Sequence, residues 1–181
     1  MGAMQQPNDG EDVMLDHANG WAAYENAQQF LQVDGWFPDD IEGLTAYTCR
    51  YVGTNAEFRV VCHINVELQQ IYVYVIFGEL VPEDRRSAVA ELITRANYGL
   101  RIGNFEMDFR DGEIRYKASL DFEDVNLTHP LMKNLFYPAV QTADRYQPIL
   151  IRVAFAGADP QQVIGEVEGR PVGGLEDDSS S

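Results

Sequence analysis

The chain has 181 residues, 13 of them Lys or Arg and 29 Asp or Glu, for a formal net charge of −16. That balance excludes nucleic acid, whose recognition needs clustered Lys and Arg, and disfavours anionic membrane surfaces. Hydrophobic residues at 45% and charged residues at 23% are those of one globular domain with its own core.

No apolar run approaches the roughly 20 residues of a membrane helix, and the N-terminus lacks the basic start and apolar stretch of a signal peptide. Two cysteines make no disulfide framework. A cytoplasmic protein is expected, with no membrane insertion. Met1-Gly2-Ala3-Met4 reads as a cloning remnant before a native start and is set aside.

Residues 1–18 are polar and Gly/Asp-rich, the composition of a disordered segment. Asn19 is placed to cap a helix over 20–33, with Trp21, Ala22, Tyr24, Ala27, Phe30 and Leu31 at helical spacing and Asp34-Gly35 as its stop. The period then changes to two. Tyr47, Cys49 and Tyr51 mark one strand. Phe58, Val60, Cys62, Ile64, Val66 and Leu68 mark the apolar face of a second, with Arg59, His63, Asn65 and Glu67 on its other face. Ile71, Val73, Val75 and Phe77 mark a third. Two-residue turns at Asn55-Ala56 and Gln69-Gln70 make a meander, the second setting Leu68 opposite Ile71, Val66 opposite Val73 and Ile64 opposite Val75. Alanine is poorly suited to positive φ, which argues for a longer loop at the first turn.

Val81-Pro82-Glu83-Asp84 reads as a helix start, with Ala88, Val89, Leu92, Ile93 and Ala96 as the buried stripe and Asn97 and Gly99 as the end. Asp111-Gly112 signals a type I′ hairpin. Folded there, Phe109 meets Ile114, Met107 meets Tyr116 and Phe105 meets Ala118, while Arg110–Glu113, Asp108–Arg115 and Glu106–Lys117 form three opposite-charge pairs. Thr128 is placed to cap a further helix carrying Leu131, Met132, Leu135 and Phe136, which Pro138 and Pro148 should divide on its way to Ala156. Asp159-Pro160 begins a short helix to Glu168, and residues 170–181 read as an acidic disordered tail. The expected organisation is a disordered 1–18, a domain over 19–157, and a short helix with the tail over 158–181. The expected fold is α+β: a five-stranded antiparallel sheet in the order α-βββ-α-ββ-α, with helices packed on it.

The inventory of chemical groups is thin. With Asn55-Ala56 as the turn, Cys49 and Cys62 lie opposite each other, a redox pair or, preferably, two small buried hydrophobes in a reducing compartment; neither has a neighbouring positive charge. His17, His63 and His129 are scattered, and His63 and Glu67 are too far apart along a strand to share a metal. Glu106, Asp108, Asp111 and Glu113 cluster at the hairpin but are consumed by ion pairs and the turn, and their oxygen spacing is too sparse for calcium. Gly99 to Asn104 begins a strand instead of following one and lacks the Lys-Ser/Thr of a phosphate loop. The chain is therefore expected to have no catalytic residue, no metal and no cofactor. The informative feature is apolar residues on the wrong face: Tyr72, Tyr74 and Ile76, with Val61 beside them, point away from the expected core, which suits a dimer or partner surface.

Asp34-Gly35-Trp36, Gly53-Thr54-Asn55, Val81-Pro82-Glu83, the segment 92–120 and Asp144-Arg145-Tyr146 before Pro148 together resemble the YbjN-domain proteins of bacteria, especially phototrophic ones. The resemblance covers roughly Trp21 to Phe155. It implies the fold of the type III secretion chaperones, often dimeric, and no catalytic residues. It also implies a role like those of the family's members, described as sensory-transduction or stress regulators, or of chaperones of this fold, which serve secretion and carboxysome-shell assembly. Three functions follow: a protein-binding module, chaperone-like or regulatory; a small-molecule or enzymatic domain with a pocket between sheet and helices; and a subunit of a larger assembly whose Glu176-Asp177-Asp178 is an interaction arm.

Overall fold

Alternating apolar positions on five stretches of chain and helical stripes on four others combine, in a computed structural model, into one sheet with one helical layer. Residues 12–168 are described, their side chains from Ala18 onward. The elements are α1 (Asp12–Val33), β1 (Asp39–Asp40), β2 (Ala46–Val52), β3 (Glu57–Asn65), β4 (Gln70–Ile76), a 3₁₀ turn (Glu83–Arg85), α2 (Arg86–Gly99), β5 (Asn104–Met107), β6 (Ile114–Asp121), α3 (His129–Phe155) and α4 (Pro160–Glu168). The sheet is antiparallel throughout, in the order β1-β2-β3-β4-β6-β5. It therefore has six strands, not the five expected. The sixth, β1, is two exposed aspartates paired with Thr48 and Tyr47, too short to show any hydrophobic period.

Helix α1 begins at Asp12, so 12–18 are helical instead of disordered, while 1–11 lie outside the described residues. Asn19 is inside the helix and not its cap. Its Nδ2 donates to Gln69 Oε1 (2.5 Å), Phe122 O and Val125 O, tying α1 to the loops after β3 and β6. The buried face is Ala23, Ala27, Phe30 and Leu31, with Trp21 turned out to solvent. At the other end Gly35 takes φ +76°. Its N–H donates to Gln32 O and that of Trp36 to Leu31 O (2.8 Å), the paired bonds that close a helix at a left-handed residue.

All three hairpins keep the expected faces but shift register. Tyr51 lies opposite Phe58 and Cys49 opposite Val60, so the first loop is Gly53 to Ala56 and Cys62 faces Tyr47, not Cys49. Ile64 lies opposite Ile71 and Cys62 opposite Val73, so the second loop runs from Val66 to Gln69 and leaves Leu68 exposed. Met107 lies opposite Ile114 and Phe105 opposite Tyr116. The third loop is Phe109 to Gly112, closed by Gly112 N–H to Asp108 O and Asp108 N–H to Glu113 O. In each case the shift is an even number of residues, so the paired side chains keep their faces, while Leu68 and Phe109, expected inward, fall in the loops and are exposed.

Helix α3 runs unbroken from His129 to Phe155 with Pro138 and Pro148 inside it, instead of in pieces. A proline denies a donor to the carbonyl four residues earlier. For Pro138 that carbonyl belongs to Asn134, an exposed residue. For Pro148 it belongs to Asp144, and Asn55 Nδ2 supplies the missing donor at 3.0 Å. The Asp144 carboxylate, on a residue only 8% exposed, in turn accepts the backbone N–H groups of Thr54 (3.0 Å), Asn55 (2.8 Å) and Ala56 (3.1 Å). The β2–β3 loop is long because it wraps this carboxylate. Thr128 precedes α3 without a side-chain cap bond. Helix α2 presents Val89, Leu92, Ile93 and Ala96 as expected. Asn97 at its end clamps the edge strand, its amide accepting from Phe105 N (2.8 Å) and donating to Phe105 O (3.1 Å).

Candidate binding surface on the outward face of the sheet

The inward strand residues join the buried faces of all four helices in one core. Val60, Val73, Val75, Tyr116, Phe136 and Ala139 are each 0% exposed there, so the interval between sheet and helices is filled by side chains. The alternative reading needs a pocket in that interval. One cleft of about 470 Å³ instead lies outside it, walled by Leu100, Ile102, Pro138, Thr142, Arg145 and Tyr146.

The opposite face is built by the other half of the same alternation. Val61 stands between Thr48 and Tyr74, Tyr74 beside Lys117, Tyr72 between His63 and Ser119, and Ile76 between Arg59 and Arg115. Val61, Tyr72, Tyr74 and Ile76 are all half-buried and none belongs to the core. The rings form a ladder: His63 stacks on Tyr72 at 5.8 Å and Tyr72 on Tyr74 at 6.2 Å, with 7° between the last two planes. The Arg115 guanidinium lies 4.5 Å from the Tyr74 ring centre and the Lys117 ammonium 5.8 Å from that of Tyr72, both within cation–π reach. Tyr72 donates its hydroxyl hydrogen to Gln70 Oε1. Burial lowers the pKa of His63, favouring its neutral, stacking form.

Sequence reasoning missed the cations of this surface. One cross-strand row reads Arg50, Arg59, Ile76, Arg115, Glu106. Arg50 pairs with Glu57, and Glu106 serves both Arg115 (2.7 Å) and Lys117 (3.3 Å). Arg59 has no ion pair among the described residues. The signal was present in the alternation, which puts Arg59 opposite the apolar face, but only strand order gathers Arg50, Arg59, Arg115 and Lys117 on one face, where Glu57, Glu106 and Asp121 also lie. Burial opposes ionisation of Glu106. The hydrogen bond from Arg115 and the charges of Arg115 and Lys117 outweigh it and hold the carboxyl below its ordinary value.

The other candidates serve structure. Of the expected hairpin charge pairs, Glu106–Lys117 forms although the register sets Glu106 opposite Arg115, while Asp108 holds Arg110 instead of Arg115 and Asp111 accepts the N–H of Glu113. His129 pairs with Asp34 at 2.6 Å, Glu67 is in a turn, and the side chain of His17 lies outside the described ones. Among the described residues no three of His, Cys, Asp or Glu converge as metal ligands. The thiols of Cys49 and Cys62 are free and buried. Burial pushes Cys49 up to about 12, and burial together with Cys49 pushes Cys62 up as well. Both should therefore resist a thiol-reactive disulfide at pH 8 in the native protein and react on unfolding, as an absorbance assay would read. Since the folded pKa is the raised one, the associated stability is complete below the ordinary thiol value of about 8.5 and declines as pH rises toward 12. Rapid native-state labelling would contradict the burial.

No helix among the described residues is long and apolar enough to cross a membrane. A family model, YbjN, described as "Putative bacterial sensory transduction regulator", matches residues 28–152, a span holding the whole sheet. No curated protein matches the chain.

Proposed function

The chain belongs to the YbjN family, and we propose that it is a non-catalytic protein-binding module, chaperone-like or regulatory, which holds a segment of another protein on the outward face of its sheet. The observation that carries this reading is the ladder His63–Tyr72–Tyr74, flanked by Val61 and Ile76 and overlaid by Arg115 and Lys117, on a face that contributes nothing to the core. One-sided antiparallel sheets normally turn polar residues outward. Tyrosines backed by arginine are the residues on which binding energy concentrates.

The family description, that of a regulator, agrees with a binding role. The module acts in the cytoplasm, as a homodimer with a protein partner, and uses no cofactor. In a larger assembly the same face would serve as its contact. The small-molecule alternative has less support, because the sheet–helix interval is filled.

The test is affinity capture from host lysate with wild type and Tyr74→Glu, alongside sedimentation of both. Tyr74→Glu places a carboxylate in the ladder and is expected to weaken capture about 30-fold, the loss of a 2 kcal/mol contact. Circular dichroism should stay unchanged. A specific protein retained equally by the folded variant would remove this face as the site.

A further inference from the structure

Resting on the reading of the molecule as a protein-binding module, we propose that a cleft at one end of the sheet takes the guanidinium group of an arginine side chain from the partner. The cleft, of about 530 Å³, lies where β3 begins and β4 ends, against α3, and is walled by Glu57, Gly78, Glu79, Gln147, Pro148 and Ile151. Glu57 continues the outward alternation of Arg59 and Val61, so the cleft adjoins the end of the outward face.

The first observation is a buried amide with an unused oxygen. Gln147 is only 7% exposed. Its Nε2 donates to Glu79 Oε2 at 3.5 Å, long for such a bond, and its Oε1 accepts from no group among the described residues. Gln147 and Glu79 both wall the cleft, and their head groups meet there. A buried acceptor without a donor costs stability, and this one is answered by a donor brought into the cleft.

The second is charge. Two of the wall residues are carboxylates and none is a cation. Glu57 is paired with Arg50, whereas Glu79 has no ion pair among the described residues. The net charge of −16 adds to the attraction for a positive group.

The third is shape. The occupant must donate to an amide oxygen and a carboxylate together, and lay an apolar stem on Pro148 and Ile151. Gly78 keeps the space beside it clear, with nothing where a Cβ would stand. Guanidinium offers a planar fork of N–H donors on an aliphatic stem and gives up its hydration more readily than ammonium, so arginine suits this half-buried pair better than lysine.

The experiment titrates Nα-acetyl-arginine amide into the ¹⁵N-labelled full chain. Saturable shifts are expected at the backbone amides of Ala56, Gly78 and Glu79 and at the side-chain amide of Gln147. Glu79→Gln and the near-isosteric Gln147→Leu should each weaken binding about ten-fold, the loss of one hydrogen bond to a charged group, with circular dichroism unchanged. Glu42→Gln removes the same charge at the other end of the sheet and should leave the affinity as it is. Nα-acetyl-lysine amide should bind more weakly than the arginine compound. Absence of saturable shifts overturns the proposal, as does equal affinity for the two compounds. Full affinity in either cleft variant, or an equal loss in Glu42→Gln, overturns it too. The two readings fail separately. If Tyr74→Glu abolishes capture while the arginine compound does not bind, the outward face stands without an arginine site. Binding of the compound with capture unaffected by Tyr74→Glu leaves the cleft and removes the outward face.

Discussion

Replacing Asp144 with alanine is expected to lower the unfolding free energy by about 3–4 kcal/mol, because a buried carboxylate leaves behind the donors it satisfied. Its oxygens take the N–H groups of Thr54, Asn55 and Ala56 and are also within reach of Asn55 Nδ2. Without them the β2–β3 loop has nothing to wrap. The substitution should move the urea midpoint with little change in slope, and a loss below about 1 kcal/mol would mean that water replaces the carboxylate. Asn55 and Pro148 should be coupled. Asn55 donates to the Asp144 carbonyl that Pro148 deprives of its helical partner. Pro148→Ala restores a donor at that carbonyl, so Asn55→Ala should cost less in that background than alone, which a double-mutant cycle measures.

Gly112→Ala is expected to cost at least about 2 kcal/mol, because a left-handed conformation alone costs an L-residue 1–2 kcal/mol. Gly112 has φ +87°, and a Cβ there would run into the backbone carbonyl of Val81, whose N–H already donates to Gly112 O at 2.9 Å. The hairpin tip would have to leave the start of the α2 region. Gly35 is the control: it too has positive φ, at +76°, but open space where a Cβ would go. Gly35→Ala should therefore lose only about 1 kcal/mol, the conformational part. Equal losses at the two sites would show that the contact with Val81 contributes nothing.

The segments that carry the family resemblance turn out to hold the fold together. Asp34-Gly35-Trp36 closes α1. Gly53-Thr54-Asn55 and Asp144 with Pro148 meet in one lock although about 90 residues apart. Asn97 fastens β5 through both backbone groups of Phe105. Each is a set of hydrogen bonds that joins distant or terminal backbone groups, centred in one case on the buried Asp144 carboxylate, so each determines structure without implying chemistry.

The outward patch was legible in part. Alternation alone separates Val61, Tyr72, Tyr74 and Ile76 from the core positions, and the structure places them together. Their cationic frame was not legible, since it draws on β2, β3 and β6, and only strand order makes Arg50, Arg59 and Arg115 neighbours.

By itself the sequence determined which residues of the paired strands face inward, where α4 begins, and that consecutive strands pair antiparallel, because these follow from local periodicity and capping chemistry, whereas α2 begins only at Arg86, after a 3₁₀ turn at the expected start. It determined register only to within an even number of residues, because a slip of two keeps every side chain on its face. Tertiary structure decided the rest. The Asp144 carboxylate drew out the first loop, Asn19 reached Gln69 at the end of the second, and the third docked Gly112 on Val81. Pro148 stayed in a continuous helix because Asn55, remote in sequence, supplied the hydrogen bond that the helix could not.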